Sequence, residues 1–380
     1  MKILFLIEGY EFGGVAAAFA ALAKHLENDG HTIGVLLSDR RQHRPDLVAI
    51  PHRYIVGWTP PRRKGRLGRF VTAFDCLSKW KFYFGKASFS RKWDCFVLYH
   101  GKDFHWRWFL PVPSVLWFHE FISKESGMGL PPPPSKAGPV TRLVYRSLLR
   151  AVRGYGCYIA VTEQSAESAR GYYDLTEKPL VIGNLIDVDR LRSQTEAPQV
   201  EMGREPGVAN LLFVGRLDPP KGVDRLLTAL SRIRGDVKPF RLWIVGDGVV
   251  RGDLEDQART LGLGDDVRFL GAKTDPRPFY RKADLLVLPS RHEGMGLVLW
   301  ESLLSGTRVL ATDCGGTRDA LRNGAWGKLV ENSTDGLECG LREFFAGALF
   351  GDIDAAQKGI EAADLENRRK ASDLFRSLVQ

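Results

Sequence analysis

Short apolar runs of three to five residues recur along the chain with helix-length stretches between them, and this alternation restricts the fold more than any other feature. In the first half the runs are residues 3–7, 95–98, 115–118, 157–161 and 180–182; in the second half they are 211–214, 242–245, 267–270, 285–288, 308–311 and 328–330. They are rich in Val, Ile and Leu on both faces, as strands covered on both sides must be. The stretch 15–29 is apolar along one face and stops at Gly30, and 223–234 does the same before Gly235. Strand and helix in alternation, joined by right-handed crossovers, give a doubly wound parallel α/β sheet. The series appears twice, so the sequence predicts two Rossmann-like domains facing across a cleft.

A chain of 380 residues suits that division, since single cores stop growing at roughly 250–300 residues. The break falls in 191–208, a polar stretch with Pro198 and Pro206 and no periodicity. The expected organisation is an N-terminal domain over 1–190, a linker over 191–208 and a second domain over 209–361. A charged amphipathic helix over 362–380 is expected to pack back on the first domain. No apolar run approaches the roughly 18 residues a membrane span needs. The five apolar residues after Lys2 are too few for a secretory core. A cytoplasmic location is therefore expected. The cysteines Cys76, Cys95, Cys157, Cys314 and Cys339 show no C-x-x-C spacing, which argues against a zinc site.

The net charge is +9, and the excess is local: residues 53–92 hold eleven basic residues and one acid, Asp75. Basic residues interleave there with Trp80, Phe82, Tyr83 and Phe84, and further along with Phe104, Trp106, Trp108 and Phe109. Cations with interfacial aromatics suit an anionic bilayer surface. The stretch 53–109 is thus expected to hold the chain on the inner face of the cytoplasmic membrane, where an acceptor would be lipid-linked. No nucleic-acid-binding signature is present, and no nucleic-acid partner is expected.

The chemistry is concentrated in residues 289–301, PSRHEGMGLVLWE. A strand ends at Leu288, a glycine-containing turn follows, and a helix runs to Gly306. Glu293 lies on the turn and Glu301 eight residues on, about 12 Å along a helix. That distance suits contact with the sugar and the ribose of one nucleotide sugar. The free amides around Gly296 and Leu297 at the helix start are able to hold a diphosphate. Gly294 and Gly296 allow close backbone approach.

This segment resembles the E-x7-E motif of family 4 retaining glycosyltransferases, which have the GT-B fold. Three further segments resemble that family in the same order: 214–222 (VGRLDPPKG), 245–248 (VGDG) and 312–317 (TDCGGT). The likeness is dense over 180–330 and thin before it. It implies a hexosyltransferase acting on a nucleotide-sugar donor, a UDP-sugar by preference, in surface polysaccharide or lipopolysaccharide synthesis. Arg216 and Lys221 would meet the donor diphosphate and neutralise charge growing on the leaving phosphate. Glu293 would bond the transferred sugar and Glu301 the ribose. Gly215, Gly246, Gly248, Gly294, Met295, Gly296, Leu297 and Val298 would complete the donor site. The turn Gly13-Gly14 opens a helix near the donor phosphate or the acceptor. His119, at the end of a strand in WFHE, would orient the acceptor or contact the sugar, with Glu120 a further candidate. Asn184 and Asp187 resemble the family's PNGID segment, with Gly183 for its Pro and Leu185 for its Gly, and read as shaping the cleft floor.

Two Asp-x-Asp strings, Asp187/Asp189 and Asp352/Asp354, stand outside any donor-binding context. With Arg216 and Lys221 supplying positive charge, no metal and no cofactor beyond the donor are expected. A GT-B nucleotide-sugar epimerase would need acid/base residues that no pattern here supplies. A nicotinamide oxidoreductase would need G-x-G-x-x-G, which Gly246-Asp247-Gly248 does not complete. A non-catalytic binding subunit is the rival from another class, and the intact Arg216, Lys221, Glu293 and Glu301 argue against it.

Overall fold

The computed structural model describes residues 1–7, 14–37, 54–56, 93–100, 112–119, 138–192, 200–273, 275–348 and 350–378. The first half runs β1 (Lys2–Ile7), α1 (Gly14–Asn28), β2 (Thr32–Leu37), β3 (Tyr54–Val56), β4 (Cys95–His100), β5 (Ser114–Phe118), α2 (Pro139–Arg153), β6 (Cys157–Ala160), α3 (Glu163–Tyr173), β7 (Leu180–Val181) and α4 (Val188–Arg192). The second half runs β8 (Ala209–Val214), α5 (Val223–Ile233), β9 (Phe240–Val245), α6 (Arg251–Thr260), β10 (Val267–Gly271), α7 (Arg277–Lys282), β11 (Leu285–Leu288), α8 (Leu297–Leu304), β12 (Arg308–Thr312), α9 (Thr317–Ala320), β13 (Lys328–Val330), α10 (Thr334–Phe345) and α11 (Ile353–Ser377). The strands form two parallel sheets, ordered β3-β2-β1-β4-β5-β6-β7 and β10-β9-β8-β11-β12-β13. The fold class expected from the alternation is observed. In each sheet the order reverses beside the first strand, between β1 and β4 and between β8 and β11. Such a switch point opens a crevice at the carboxyl ends of the strands.

Burial follows the two-residue strand period. In β1, Ile3, Phe5 and Ile7 face α1 and α11, while Leu4 and Leu6 face α2 and α3. Phe5 packs edge-on to Phe19 of α1 at 5.2 Å and against Phe375 of α11 at 6.2 Å. Phe375 is fully buried, so truncating it to Ala costs about 3–5 kcal/mol.

Two strands have no counterpart among the expected runs. In β2, Gly34 interrupts the apolar sequence; a Cβ there would lie 2.0 Å from the Trp93 ring, so the small residue is set by packing. β3 is three residues long, too short to carry a period. The last helix starts at Ile353 rather than at 362, because Asp352 accepts a hydrogen bond from the Ala355 amide and caps it.

α11 contacts α8 of the second half and α1 of the first. It supplies partners for backbone in 183–187 that no sheet serves. Asn367 Oδ1 accepts from the Gly183 amide (3.0 Å), Asp364 Oδ1 from the Ile186 amide (2.9 Å), and Arg368 donates to the Ile186 carbonyl (2.8 Å). The carbonyls at the end of α4 are capped from α7: Arg277 donates to Arg190 O (2.6 Å) and Arg281 to Leu191 O (3.2 Å).

Candidate functional site at the ends of β8, β11 and β12

Three loops meet beyond the second sheet. After β8 the chain makes a single 3-10 turn, Pro219–Lys221, and leaves it through Gly222 at φ +68°. A Cβ on Gly222 would come 2.1 Å from the Pro289 carbonyl of the loop after β11. Arg291 joins the same two loops: its amide donates to Pro220 O (2.7 Å) and its guanidinium forks onto both Asp224 oxygens (2.8 and 2.6 Å). The loop after β12 locks on from the other side. Thr312 Oγ1 donates to Ser290 O (2.6 Å), and the Gly316 amide donates to Glu293 O (2.9 Å). A Cβ on Gly316 would stand 1.6 Å from Gly294 O.

That lacing sets Glu293. Lys221 Nζ donates to Glu293 Oε2 (2.7 Å), and the Ser290 hydroxyl donates to the same oxygen (3.1 Å). Both Lys221 and Glu293 side chains are mostly buried. Arg216 lies on the same loop as Lys221, half exposed, with its Nε 3.3 Å from Asp218. The turn then reaches Gly296 at φ +72°, a left-handed residue that starts α8 without a side-chain cap. The amides of Leu297 and Val298 are thus left without helical acceptors. Met295 and Leu297 are buried and anchor the turn, and Val298 is partly buried.

The first sheet meets this turn end on. The Cβ position of Gly14, the first residue of α1, lies 3.3 Å from Leu297 Cδ1, so two helix N-termini from different sheets abut. Thr162 caps α3 and donates from Oγ1 to Gly294 O at 3.4 Å. Gly13 and Glu120 lie outside the described residues. His119 lies at the end of β5 and is 7% exposed, its ring stacked on Trp117 at 5.9 Å and 4.2 Å from the Tyr99 ring. Apart from 54–56 and 93–100, the basic aromatic stretch 53–109 also falls outside the described residues.

Other motif residues serve the scaffold in this structure. A Cβ on Gly246 would come 1.8 Å from Gly215 O, and one on Gly248 2.4 Å from Leu217 O. The glycines after β9 thus let the loop after β8 press against them. Asp187 accepts from the Arg190 amide at the start of α4 (3.1 Å) and lies 3.6 Å from Lys24. Asn184 is buried, and its Oδ1 has no hydrogen-bond partner. Asp352 is the cap of α11 already described.

Glu301, in the second turn of α8, is bonded to a residue that sequence reasoning missed. The Tyr280 hydroxyl of α7 donates to Glu301 Oε2 at 2.6 Å, and Tyr280 is fully buried. Removal from water pushes the Glu301 carboxyl above its ordinary range, against the pull of that hydrogen bond. Burial, with the Glu301 charge adding to it, pushes the Tyr280 phenol well above its own. Nothing in the spacing of 280 and 301 marks the pair; α7 and α8 bring it together. Ser290 and Thr162 were missed for the same reason. Cys314 sits beside Thr312 (Oγ1–Sγ 3.7 Å), its thiol pushed up by burial to about 11.

Residues 12–190 match the family model described as Glycosyltransferase Family 4, and residues 209–344 the model described as Glycosyl transferases group 1. The chain belongs to the family 4 glycosyltransferases. This glycosyltransferase is 38% identical over 182 residues to the D-inositol 3-phosphate glycosyltransferase of Nocardia farcinica, a stretch covering 45% of this chain and 40% of that protein. It is 34% identical over 151 residues to the lipopolysaccharide core biosynthesis glycosyltransferase LpsE of Rhizobium meliloti, covering 39% and 40%. The matches thus span less than half the length of these curated relatives. Among solved structures, sucrose-phosphate synthase from Thermosynechococcus elongatus superposes with a TM-score of 0.75 at 19% identity, covering 100% of this chain and 99% of that one. HepE of Anabaena in complex with UDP-glucose superposes with a TM-score of 0.72 at 19% identity, covering 99% and 100%. At that identity the likeness is one of fold.

Proposed function

We propose that this glycosyltransferase moves a hexose-type sugar from a nucleoside diphosphate donor, a UDP-sugar by preference, to a glycan or lipid-linked acceptor of a surface polysaccharide or lipopolysaccharide, with retention at the anomeric carbon. One observation carries the reading. The Lys221–Glu293 pair, at 2.7 Å, stands beside the uncapped start of α8 with Gly14 of α1 against it. A diphosphate at that point would find free backbone amides, Lys221 and Arg216 together. The preference for uridine draws on the fold likeness to HepE, which was solved with UDP-glucose.

In the proposed reaction the bond from the sugar C1 to the diphosphate oxygen breaks and one from C1 to the acceptor oxygen forms on the same face. The acceptor proton passes to the leaving phosphate. Lys221 and Arg216 stabilise the charge that develops there, and Lys221 exchanges its carboxylate for phosphate as the donor enters. Glu293, released from Lys221 but still held by Ser290, is then available to the sugar hydroxyls. Glu301 reads the ribose from the second turn of α8, and His119 borders the acceptor side. The cations take the role a metal would have, so turnover is expected to persist in excess chelator. Among the described residues no helix is long and apolar enough to cross a membrane. A cytoplasmic enzyme held peripherally on the inner membrane face, in part by 53–109, fits a lipid-linked acceptor.

Calorimetric titration with UDP, GDP, ADP and their common sugars tests the reading, together with turnover of variants. One nucleotide is expected to bind. Glu293→Ala is expected to retain that binding and lose most turnover. Lys221→Ala and Arg216→Ala are expected to lose on the order of 10²–10³ in rate, the range seen for other transition-state donors. Near-normal turnover in all three overturns the assignment.

A further inference from the structure

We infer that Arg291 is a positioning residue for turnover. With Asp224 it clasps the loop after β8 to the loop after β11, and it keeps Lys221 in register with Glu293 once a donor has parted them. The inference deepens the donor-site reading and rests on it for the reaction concerned. Arg291 acts through the backbone of the turn that carries Lys221.

Lys221 ends the 3-10 turn Pro219–Lys221. Pro219 and Pro220 have no amide hydrogen, and the Lys221 amide is used within the turn, donating to Asp218 O (2.9 Å). The turn can therefore be tied to a neighbour only through its carbonyls and the Lys221 ammonium. Arg291 takes two of those carbonyls: its Nη1 donates to Pro219 O (2.7 Å) and its amide to Pro220 O (2.7 Å). The same guanidinium forks onto Asp224, in the first turn of α5, at 2.8 and 2.6 Å. One planar group thus holds the turn and the helix after it in a fixed geometry. The segment that carries Arg291 is itself fixed. Arg225 donates to Pro289 O (2.8 Å), and Asn332, in the loop after β13, donates to Arg291 O (3.0 Å).

The Lys221–Glu293 bond, at 2.7 Å, also joins the two loops, but it belongs to the empty site. In the proposed reaction Lys221 leaves Glu293 for the donor phosphate. Among the described residues, the hydrogen bonds that then still join the turn to the loop after β11 are those of Arg291. Lys221 follows Pro220 directly, and Glu293 stands two residues beyond Arg291. The clasp therefore sets the separation of cation and carboxylate while the one serves the phosphate and the other the sugar. Its contribution to stability is expected to be small, because the Arg291 and Asp224 side chains are 35% and 44% exposed and ion pairs open to water add little. A group that adds little stability yet fixes a reacting geometry shows itself in turnover rather than in unfolding.

Release of nucleoside diphosphate from UDP-glucose, UDP-galactose, GDP-mannose and ADP-glucose tests this, with nucleotide affinity and urea unfolding measured on the same samples. Arg291→Gln is expected to lower kcat by about 100-fold, the cost of a misplacement of about 1 Å. KM, nucleotide affinity and unfolding are expected to move far less, since the α8 amides and Glu301 lie beyond the clasp. Arg291→Lys keeps the charge but cannot fork onto Asp224 and reach Pro219 O together, so it is expected to regain part of kcat. Adding Asp224→Asn to Arg291→Gln is expected to cost little more, because the two side chains act as one unit. If Arg291→Gln turns over at the parent rate while Lys221→Ala does not, or if its kcat falls only in step with its stability, Arg291 is no positioning residue. If the parent releases no nucleotide, or Lys221→Ala is unimpaired as well, the donor-site reading fails and takes the inference with it.

Discussion

Replacing Tyr280 by Phe removes one oxygen from the centre of the second domain. The ring is fully buried and its hydroxyl donates at 2.6 Å to a carboxylate that burial already disfavours. Loss of a hydrogen bond to a charged group costs about 1.5–3 kcal/mol, and because Phe keeps the ring volume no cavity term is added. The pH dependence separates this from a packing defect. Glu301 has a raised folded-state pKa, so its contribution to stability declines as pH rises from 4.5, the ordinary glutamate value, through the folded value. The Tyr280 bond favours the ionised carboxylate, so Tyr280→Phe moves that folded value further up. The variant is therefore expected to fall behind the parent least where Glu301 is protonated in both states, where only a neutral hydrogen bond is lost, and by the full amount where it is ionised in both. Urea unfolding followed by tryptophan fluorescence reads this, Trp300 being buried next to Glu301. Nucleotide titration on the same samples is expected to show affinity weakened by up to about 10- to 150-fold, the same energy expressed as binding. A deficit under about 0.5 kcal/mol, or one constant with pH, refutes the argument that this hydrogen bond holds the Glu301 carboxylate.

Gly316→Ala would thrust its Cβ into Gly294 O. It is expected to cost about 1–3 kcal/mol in unfolding free energy and to abolish nucleotide binding in the remaining folded protein, both read by denaturation and calorimetry. Cys314, buried with its thiol pushed up to about 11, stays protonated and unreactive at pH 8, whereas the exposed Cys339 does not share that shelter. A maleimide is therefore expected to label Cys339 in the native chain and Cys314 only after denaturation, as peptide mapping would show.

The alternation of apolar runs and helical stretches was sufficient to specify two parallel sheets, because a strand covered on both faces announces itself in composition. The order of the motifs placed the loops after β8, β11 and β12 on one edge for the same reason: each follows a strand directly, and the carboxyl ends of parallel strands lie together. What the sequence could not carry is which of those groups meet. Lys221 and Glu293 are 72 residues apart, and their contact depends on Gly222 and Gly316 letting three loops close on one another. Tyr280 gave no signal, since a tyrosine beside Phe279 in a six-residue helix reads as core until the carboxylate it serves is seen beside it. Gly246 and Gly248 were expected to complete the donor site, whereas the group that requires a glycine at each in this structure is the backbone of the loop after β8. The last helix was legible as amphipathic, while its task was not: it supplies acceptors to the amides of Gly183 and Ile186, which lie outside any sheet and need partners from a distant segment. Local period and strand order follow from the covalent sequence, whereas side-chain pairing and backbone satisfaction across loops depend on distances that only the closed tertiary structure sets.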